Sequence, residues 1–221
     1  MGDPLVLLPG MNCSTALWSR LDLGRRSVVI TPELTEATLD GQVARLLDEL
    51  PSRFTLAGLS LGGIVAMALV RAAPERVSSL ILLSTNPYGS TEDQLQNWRA
   101  SRDDLQAGRT ARDLQSDWLP LLLSEPARTP ELVELTLIMA DEVGEAALDA
   151  QLALQVTRID ERPALRDVRC PTMIISARQD ALCSVAKHIE LNGLVPDSAL
   201  MIIEDCGHLS PLERPAAIAL G

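Results

Sequence analysis

At residues 58–63 the chain reads Gly58-Leu59-Ser60-Leu61-Gly62-Gly63. This stretch lies between a strand pattern (Phe54–Ala57) and a helix pattern (Leu61–Ala73), which is the strand–turn–helix context of a G-x-S-x-G motif. Such a turn is sharp enough to strain the serine backbone, and only very small side chains fit two residues before and after it. It also lifts the hydroxyl to the amino end of a helix, where developing negative charge is favoured. We interpret Ser60 as a nucleophile; glycines that serve only the turn are the alternative.

Short strand patterns alternate with helical ones on both sides of this motif, as in a parallel sheet covered by helices. The predicted strands are Leu5–Leu8, Ser27–Thr31, Phe54–Ala57, Val77–Ser84, Thr172–Ala177 and Ala199–Glu204. The predicted helices between and after them are Thr38–Leu50, Leu61–Ala73, Val185–Leu194 and a short last one from Pro211. The fold class is therefore α/β, with a mostly parallel, twisted sheet of about six strands and helices on both faces.

Residues 88–166 have a different hydrophobic pattern, because apolar residues recur there every three or four positions without a strand-like run. Four helices are predicted from this spacing, around Leu95 to Leu105, Leu114 to Leu121, Leu132 to Met139 and Leu148 to Val156. Helices inserted between strands usually lie over the carboxyl ends of the sheet, where ligands bind. We predict a helical cap at 88–166 and a core formed by 1–87 and 167–221.

A serine nucleophile needs a base, and the chain has two histidines, His188 and His208. His188 falls inside a helical pattern and is expected to be a solvated or packed surface residue. His208 follows the last predicted strand, and the carboxyl ends of parallel strands meet at one edge of a sheet. His208 is therefore the predicted general base.

The third group must accept the second ring N–H of the histidine and stabilise the imidazolium. Asp180 directly follows the strand Thr172–Ala177, so it should project from the same sheet edge as Ser60. The order serine, acid, histidine is the one found in this arrangement. Glu204 and Asp205 are nearer His208 in sequence and stay open as alternatives, although residues at the end of the histidine's own strand are constrained to point away from it.

A tetrahedral intermediate also needs N–H donors for its oxyanion. One predicted donor is the amide of Leu61, which follows the nucleophile. The other is expected from the turn after the first strand, Pro9-Gly10-Met11-Asn12, with Met11 as the preferred residue. The alternative is that Pro9-Gly10 is only a turn.

With these residues in place, the chain resembles the α/β-hydrolase superfamily over nearly its whole length. Leu7-Leu8-Pro9-Gly10-Met11 with Trp18 resembles the family's oxyanion loop, and residues 58–63 resemble its nucleophile turn. Cys170-Pro171-Thr172 with Asp180, and Gly207-His208, resemble its acid strand and histidine loop. The resemblance implies a Ser60–Asp180–His208 triad, an oxyanion hole from the Met11 and Leu61 amides, and no cofactor or metal.

Two features depart from the family pattern. Many members have a histidine before the oxyanion-loop glycine, where this chain has Pro9, which would set this loop and the Met11 amide differently. The usual first two strands are also missing, because the chain opens directly on Leu5–Leu8.

The leading functional hypothesis is a carboxylesterase-like serine hydrolase acting on a small-molecule ester with an acyl group. Thioesters, lactones, the C–C bonds of diketones and acyl transfer are alternatives, because a fold does not determine a reaction. Serine rather than aspartate at position 60 argues against a dehalogenase. A ligand-binding protein without catalysis is the alternative from another class.

Cap side chains are candidates for lining an acyl pocket, although tryptophan and methionine at helical spacing often serve only packing. These candidates are Trp98, Trp118, Leu121, Leu122 and Met139. With one Phe and one Tyr in the chain, aliphatic contacts are expected to dominate.

The composition limits the classes of partner and the cellular location that we expect. A net charge of −11 would repel a phosphate backbone, so nucleic acid is not expected as a partner, and it slightly disfavours anionic substrates. The absence of a signal-like start or a long apolar run predicts a cytoplasmic protein without a membrane segment. The four cysteines contain no C-x-x-C pair, so neither a zinc site nor a redox dithiol is indicated. The sequence makes no prediction of oligomeric state.

Overall fold

The computed structural model describes residues 2–24 and 28–218. Six strands form one parallel sheet in the order β2-β1-β3-β4-β5-β6. The strands are β1 (Leu5–Leu8), β2 (Val29–Ile30), β3 (Phe54–Leu59), β4 (Val77–Leu83), β5 (Thr172–Ala177) and β6 (Ala199–Ile203). The six strand predictions are confirmed, with β2 shorter than expected; Ser27, the first residue predicted for it, lies outside the described residues.

Eight α-helices are described. They are α1 (Leu39–Glu49), α2 (Leu61–Ala72), α3 (Glu92–Gln106), α4 (Ala111–Leu122), α5 (Pro130–Thr157), α6 (Arg162–Leu165), α7 (Val185–Leu194) and α8 (Ser210–Glu213). Short 3₁₀ turns at Thr15–Trp18, Pro74–Arg76, Glu125–Ala127 and Pro215–Ala217 complete the secondary structure of this part of the chain. Within it, no helix has the length and apolar character needed to cross a membrane.

Strand residues alternate between two apolar cores, one on each face of the sheet. On one face, Val6 and Leu8 of β1 pack with residues of α1, α2 and α7. On the other face, Leu5 and Leu7 pack with the 3₁₀ turn at Thr15–Trp18, the end of α4, the start of α5 and α8. Because both faces are covered, the strands are almost continuously apolar, as parallel strands usually are.

The central helix α2 is buried along nearly its whole length, from Leu61 to Val70. It is apolar on all sides because it lies between the sheet and its neighbour α1. This burial holds the amino end of α2, and the serine before it, in a fixed place above the sheet.

Four helices, α3 to α6, lie between β4 and β5 in the segment 88–166. The two helices predicted after residue 130 are the two halves of α5, which meet at Gly144, where the backbone angles are non-helical (φ 72°, ψ 168°). A positive φ of this kind favours glycine, which allows the chain to break between the two halves. The division into core and cap at residues 87 and 167 stays a prediction.

Candidate active site

The turn between β3 and α2 holds Ser60 at φ 54° and ψ −112°, a backbone conformation that L-residues rarely adopt. A Cβ atom on Gly58 would lie 2.3 Å from the carbonyl oxygen of Gly62. One on Gly62 would lie 2.1 Å from the carbonyl oxygen of Leu8. Both contacts are with backbone, which cannot swing aside. The two glycines therefore let β1, β3 and α2 approach closely enough to form the turn.

Backbone hydrogen bonds hold Ser60 in this position. Its N–H donates to the carbonyl of Leu83 at the end of β4 (3.0 Å), and its carbonyl accepts from the amide of Ile64 (3.1 Å) and the hydroxyl of Thr85 (2.9 Å). These bonds leave the side chain half-exposed at the carboxyl edge of the sheet. The serine is thus rigidly placed, and its hydroxyl faces a cavity.

Asp180 and His208 meet at the same edge, although 28 residues separate them. The Nδ1 atom of His208 lies 3.0 and 2.9 Å from the two carboxylate oxygens of Asp180. Both residues are buried, with 2% of His208 and 8% of Asp180 exposed. Burial raises the pKa of Asp180, but the charge and hydrogen bond of His208, with two backbone amides, outweigh burial and leave that pKa lowered. The carboxylate is therefore ionised and can orient an Nδ1–H proton.

The loops that carry the acid and the histidine are joined directly. Gln179 donates its amide N–H to the carbonyl of Cys206 (2.8 Å), and its side-chain oxygen accepts the amide N–H of Cys206 (2.7 Å). Asp180 Oδ1 also accepts the amides of Leu182 (2.8 Å) and Cys183 (2.9 Å). The carboxylate is thereby held in one orientation before any substrate binds.

Ser60 and His208 both line one cavity of about 250 Å³. Of the two links in the predicted relay, the one between His208 and Asp180 is formed; within the described residues, the Ser60 hydroxyl makes no hydrogen bond to the imidazole. Catalytic hydrogen bonds are often long without substrate and tighten in the bound complex. The roles of Ser60, Asp180 and His208 stay predictions that this placement supports.

The predicted oxyanion donors also face this region. Met11 lines the cavity, and Leu61 is the first residue of α2, where amides have no partner within the helix. In the described part of the chain, neither amide donates to another protein group. Both are available to a ligand oxygen, and their role remains a prediction.

Behind Met11, three buried amide side chains hold the oxyanion loop against the helices of segment 88–166. The N–H of Asn12, which has a left-handed φ of 56°, donates to Gln151 Oε1 (2.8 Å). The Asn12 side chain donates to the Ala111 carbonyl (3.0 Å) and Gln115 Oε1 (2.9 Å). Gln151 donates in turn to the carbonyl of Leu34 (2.9 Å). We refer to Asn12, Gln115 and Gln151 as the amide cluster.

Four of the five predicted pocket residues line the cavity: Trp98, Trp118, Leu121 and Leu122. The expectation for Met139 is wrong, because this side chain is fully buried in the apolar core between α5 and the sheet and does not reach the cavity. Helical spacing alone cannot distinguish these two faces, since both are apolar.

The alternative acids point elsewhere. Glu204 is exposed and forms an ion pair with Arg178 (2.7 Å), and Asp205 is exposed in a turn with a φ of 51°.

His188 differs from its predicted surface position, because it is completely buried. Its Nε2 accepts the amide N–H of Thr85 (3.1 Å), and its Nδ1 lies 3.0 Å from the carbonyl of Ser184. Burial lowers the pKa of His188 despite the Ser184 hydrogen bond. It is a neutral structural residue that supports the loop after β4.

Cys183 lies beside the acid and the base, and the donor atoms of Asp180, Cys183 and His208 lie within 4.8 Å of one another. Burial raises the pKa of the Cys183 thiol to about 12. Metals bind the thiolate rather than the thiol, so at neutral pH this group is a neutral neighbour of Asp180.

The sequence patterns did not identify the amide cluster or Arg158 as parts of the site. The amide cluster depends on contacts such as that between Asn12 and Gln151, 139 positions apart. Arg158 is a buried arginine in the cavity wall. Arg158 follows an apolar helical pattern, and this position could have indicated a buried charge. The same position is equally typical of a charged residue exposed to solvent at a helix end.

Comparison with known proteins identifies a matching family and several relatives. Residues 5–219 match the model of a family described as the alpha/beta hydrolase family. The pimeloyl-(acyl-carrier protein) methyl ester esterase of Aromatoleum aromaticum is 34% identical over 238 residues, which cover 98% of this chain and 95% of that protein. The protein of the same name from Nitrosomonas europaea is 29% identical over 80% of this chain and 73% of its own length.

Solved structures share the fold. An esterase from Thermogutta terrifontis superposes with a TM-score of 0.81 at 23% identity, over 98% of this chain and 86% of that one. The enol-lactonase of Burkholderia xenovorans superposes with a TM-score of 0.83 at 18% identity, over 98% and 88% of the two chains. At these identities the likeness concerns the fold alone.

Proposed function

We propose that this chain, which belongs to the alpha/beta hydrolase family and is an ester hydrolase, cleaves the methyl ester of an acyl chain carried on an acyl-carrier protein. The observation that carries the proposal is that Ser60 and His208 line one cavity, with His208 bound to Asp180 behind it. The relatives named for this reaction extend over nearly the whole chain, which supports the choice of ester.

The proposed reaction has two halves. The Ser60 oxygen attacks the ester carbonyl carbon while His208 Nε2 takes the hydroxyl proton, and the amides of Met11 and Leu61 hold the oxyanion. The C–O bond to the alcohol then breaks, and the imidazolium gives its proton to the leaving methoxide. Water, deprotonated by the same imidazole, attacks the acyl-serine. The bond to the Ser60 oxygen then breaks, this oxygen takes the proton from the imidazolium, and the acid is released. Throughout, Asp180 stays ionised and stabilises the imidazolium.

The cavity suits a short aliphatic acyl chain. Its volume of about 250 Å³ is small for a ligand pocket. On the side of segment 88–166 its wall combines indole and leucine side chains with polar ones; these residues are Trp98, Trp118, Leu121, Leu122, Gln94, Asn97, Ser101, Gln155 and Arg158. Two leucines at its edge are well exposed, Leu121 at 43% and Leu182 at 40%. In the proposal these mark the side through which the acyl chain extends towards its carrier.

Hydrolysis of pimeloyl methyl ester, presented on acyl-carrier protein and as an N-acetylcysteamine thioester, tests the proposal directly. The product acid and methanol are measured for the wild type and for Ser60→Ala, in which we expect kcat to fall by about 10⁴-fold or more. Ser52→Ala, which removes an exposed hydroxyl just before the amino end of β3, whereas Ser60 follows its carboxyl end, is the control and should retain full activity. Methyl ester turnover that survives Ser60→Ala contradicts the proposed nucleophile.

Labelling with a fluorophosphonate separates an esterase from a binding protein of the same fold. A mass increment on the peptide that contains Ser60, absent in Ser60→Ala, is the expected result. An unlabelled wild-type chain that binds acyl ligands but turns over none would favour the binding protein.

A further inference from the structure

Arg158 lies in the wall of the same cavity as Ser60 and His208. It directly follows α5, in extended backbone conformation, and is 7% exposed. Of the lysines and arginines that the structure describes, it alone is buried. Arginine keeps its charge in proteins, so this cavity has a positive group in an otherwise apolar and amide-lined wall.

The protein groups around Arg158 are neutral. Its Nη1 donates to Gln155 Oε1 (3.2 Å), and its Nη2 donates to Asn86 Oδ1 (3.2 Å) and weakly to the carbonyl of Gly89 (3.5 Å). The guanidinium carbon lies 5.6 Å from the ring centre of Trp98, so the indole face also contacts the cation. The Nε–H group is buried and has no partner among the described residues.

The acids nearest to Arg158 in sequence are bound to other arginines. The buried Glu161 forms an ion pair with the partly exposed Arg71 (2.9 Å), and Asp160 forms an exposed ion pair with Arg162 (2.6 Å). Across residues 2–24 and 28–218, no carboxylate oxygen lies within 4.0 Å of the Arg158 nitrogens. A buried charge without a counter-ion is costly to fold. The three acceptors of Arg158 are neutral, and an uncharged amide side chain could donate to them equally well. The positive charge is therefore the property that these bonds do not explain, and it indicates a ligand.

We propose that Arg158 determines specificity by binding a second carboxyl-derived oxygen at the far end of the acyl chain, so that the cavity selects esters of dicarboxylic acids. The inference rests on the proposed ester hydrolysis at the same site. A free carboxylate would neutralise the guanidinium and accept two of its N–H groups. A thioester carbonyl, as on a carrier protein, would accept one. In both, one end of the acyl chain lies at Ser60 and the other at Arg158.

Matched esters test this assignment. The substrates are monomethyl heptanedioate, its N-acetylcysteamine thioester, and methyl heptanoate, which has the same chain length and no second oxygen. In the wild type, kcat/KM should be higher for the first two. In Arg158→Gln, the ratio of kcat/KM for monomethyl heptanedioate to that for methyl heptanoate should fall by about tenfold to a hundredfold, while methyl heptanoate changes by less than about threefold.

Arg102→Gln is the matched control. Arg102 lies on α3, pairs with Asp149 (2.7 Å) and does not line the cavity, so its loss removes the same charge without touching the substrate. The ratio should stay at the wild-type value in this variant. An equal fall in both variants would assign the effect to the general field of the protein and overturn the proposal. An equal fall for all three esters in Arg158→Gln would make Arg158 a packing residue only.

Arg158→Lys keeps the charge and provides a second variant if the glutamine variant does not fold. It should give an intermediate ratio, and a wild-type ratio in every folded Arg158 variant overturns the assignment.

Binding of monomethyl heptanedioate to Ser60→Ala, measured by titration calorimetry, separates this inference from the proposed reaction. Affinity should fall by about tenfold or more when Arg158→Gln is added. If the wild type hydrolyses none of the esters but this fall is seen, the reaction is wrong and the Arg158 site stands. Equal affinities, or no binding to either protein, overturn the site.

Discussion

The variant Gln151→Met should disturb the position of the oxyanion loop without changing any of the three predicted catalytic side chains. Gln151 is 2% exposed and joins the Asn12 amide to the Leu34 carbonyl. Methionine has a similar volume but neither accepts nor donates these bonds. The substitution therefore leaves the two backbone groups unpaired inside the protein, while Ser60 and His208 are untouched.

The expected cost follows from these two bonds. Each buried backbone group left unpaired costs about 1–3 kcal/mol, and methionine fills most of the volume, so the free energy of unfolding should fall by about 2–4 kcal/mol. A domain of ordinary stability, about 5–15 kcal/mol, stays folded after such a loss. Urea unfolding followed by circular dichroism measures this change.

The catalytic effect should exceed what lost stability explains. Removing an oxyanion donor outright costs about 2.7–4 kcal/mol in a well-studied protease. Here the Met11 amide would be displaced rather than removed, so we expect kcat for ester hydrolysis to fall by about tenfold to a hundredfold, with KM nearly unchanged. This pattern indicates an interaction made mainly in the transition state.

Thr136→Val is the control within the same buried region. Thr136 donates its hydroxyl to the Leu132 carbonyl of its own helix. Its bond to the amide cluster is made by its backbone carbonyl, which accepts from Gln115 Nε2 (3.4 Å) and is kept in the variant. It should cost less than about 1 kcal/mol and leave kcat unchanged. A wild-type kcat in Gln151→Met, together with the expected loss of stability, would refute the reasoning, because the loop would then hold its own conformation.

Three further predictions follow from the site and its supports. In Asp180→Asn the oxygen stays with the two backbone amides, so the NH₂ group faces His208, imposes the wrong tautomer and lowers kcat by about 10³- to 10⁴-fold. Gly62→Ala places a Cβ 2.1 Å from the Leu8 carbonyl oxygen and should cost more than about 3 kcal/mol or prevent folding, as judged by urea unfolding. The pKa of His188 is lowered by burial, so its contribution to stability is complete above the unfolded value of about 6.5 and is lost as pH falls below it. Unfolding free energies at pH 8 and pH 5 should therefore differ less in His188→Gln than in the wild type.

Controls make these outcomes decisive. Gly193→Ala lies on α7 with open space around the new Cβ and should be neutral or stabilising by up to about 1 kcal/mol. An equal loss at Gly62 and Gly193 would contradict the close-approach argument. An Asp180→Asn enzyme with wild-type kcat would show that the tautomer does not matter, and an unchanged pH dependence in His188→Gln would assign acid sensitivity to other groups.

The sheet and the positions of Ser60, Asp180 and His208 could be predicted because they depend on local patterns and one topological rule. Strand and helix periods are read over a few residues, and parallel strands bring their carboxyl ends together whatever their separation in the chain. The two halves of α5 were predicted as separate helices, because their apolar spacing is read on either side of Gly144.

Burial and long-range pairing could not be predicted in the same way. His188 was expected at the surface because a helical pattern does not show what covers each face, and Met139 was placed in the pocket for the same reason. The amide cluster and the neutral surroundings of Arg158 depend on which side chains meet across the fold. Those contacts follow from tertiary packing, which the local periodicity of the sequence does not show.

The histidine loop is bound to the segment that supplies the pocket wall. Leu209 donates its amide to the carbonyl of Leu122 (3.2 Å), and the Glu213 carboxylate accepts from both Gly207 and Ser124. In the proposed reaction, substrate selectivity and proton transfer would therefore not vary independently. A chimaera that takes its 88–166 segment from a relative should gain the relative's selectivity only if that segment keeps the bonds to Leu209 and Glu213; without them we expect His208, the proposed base, to shift.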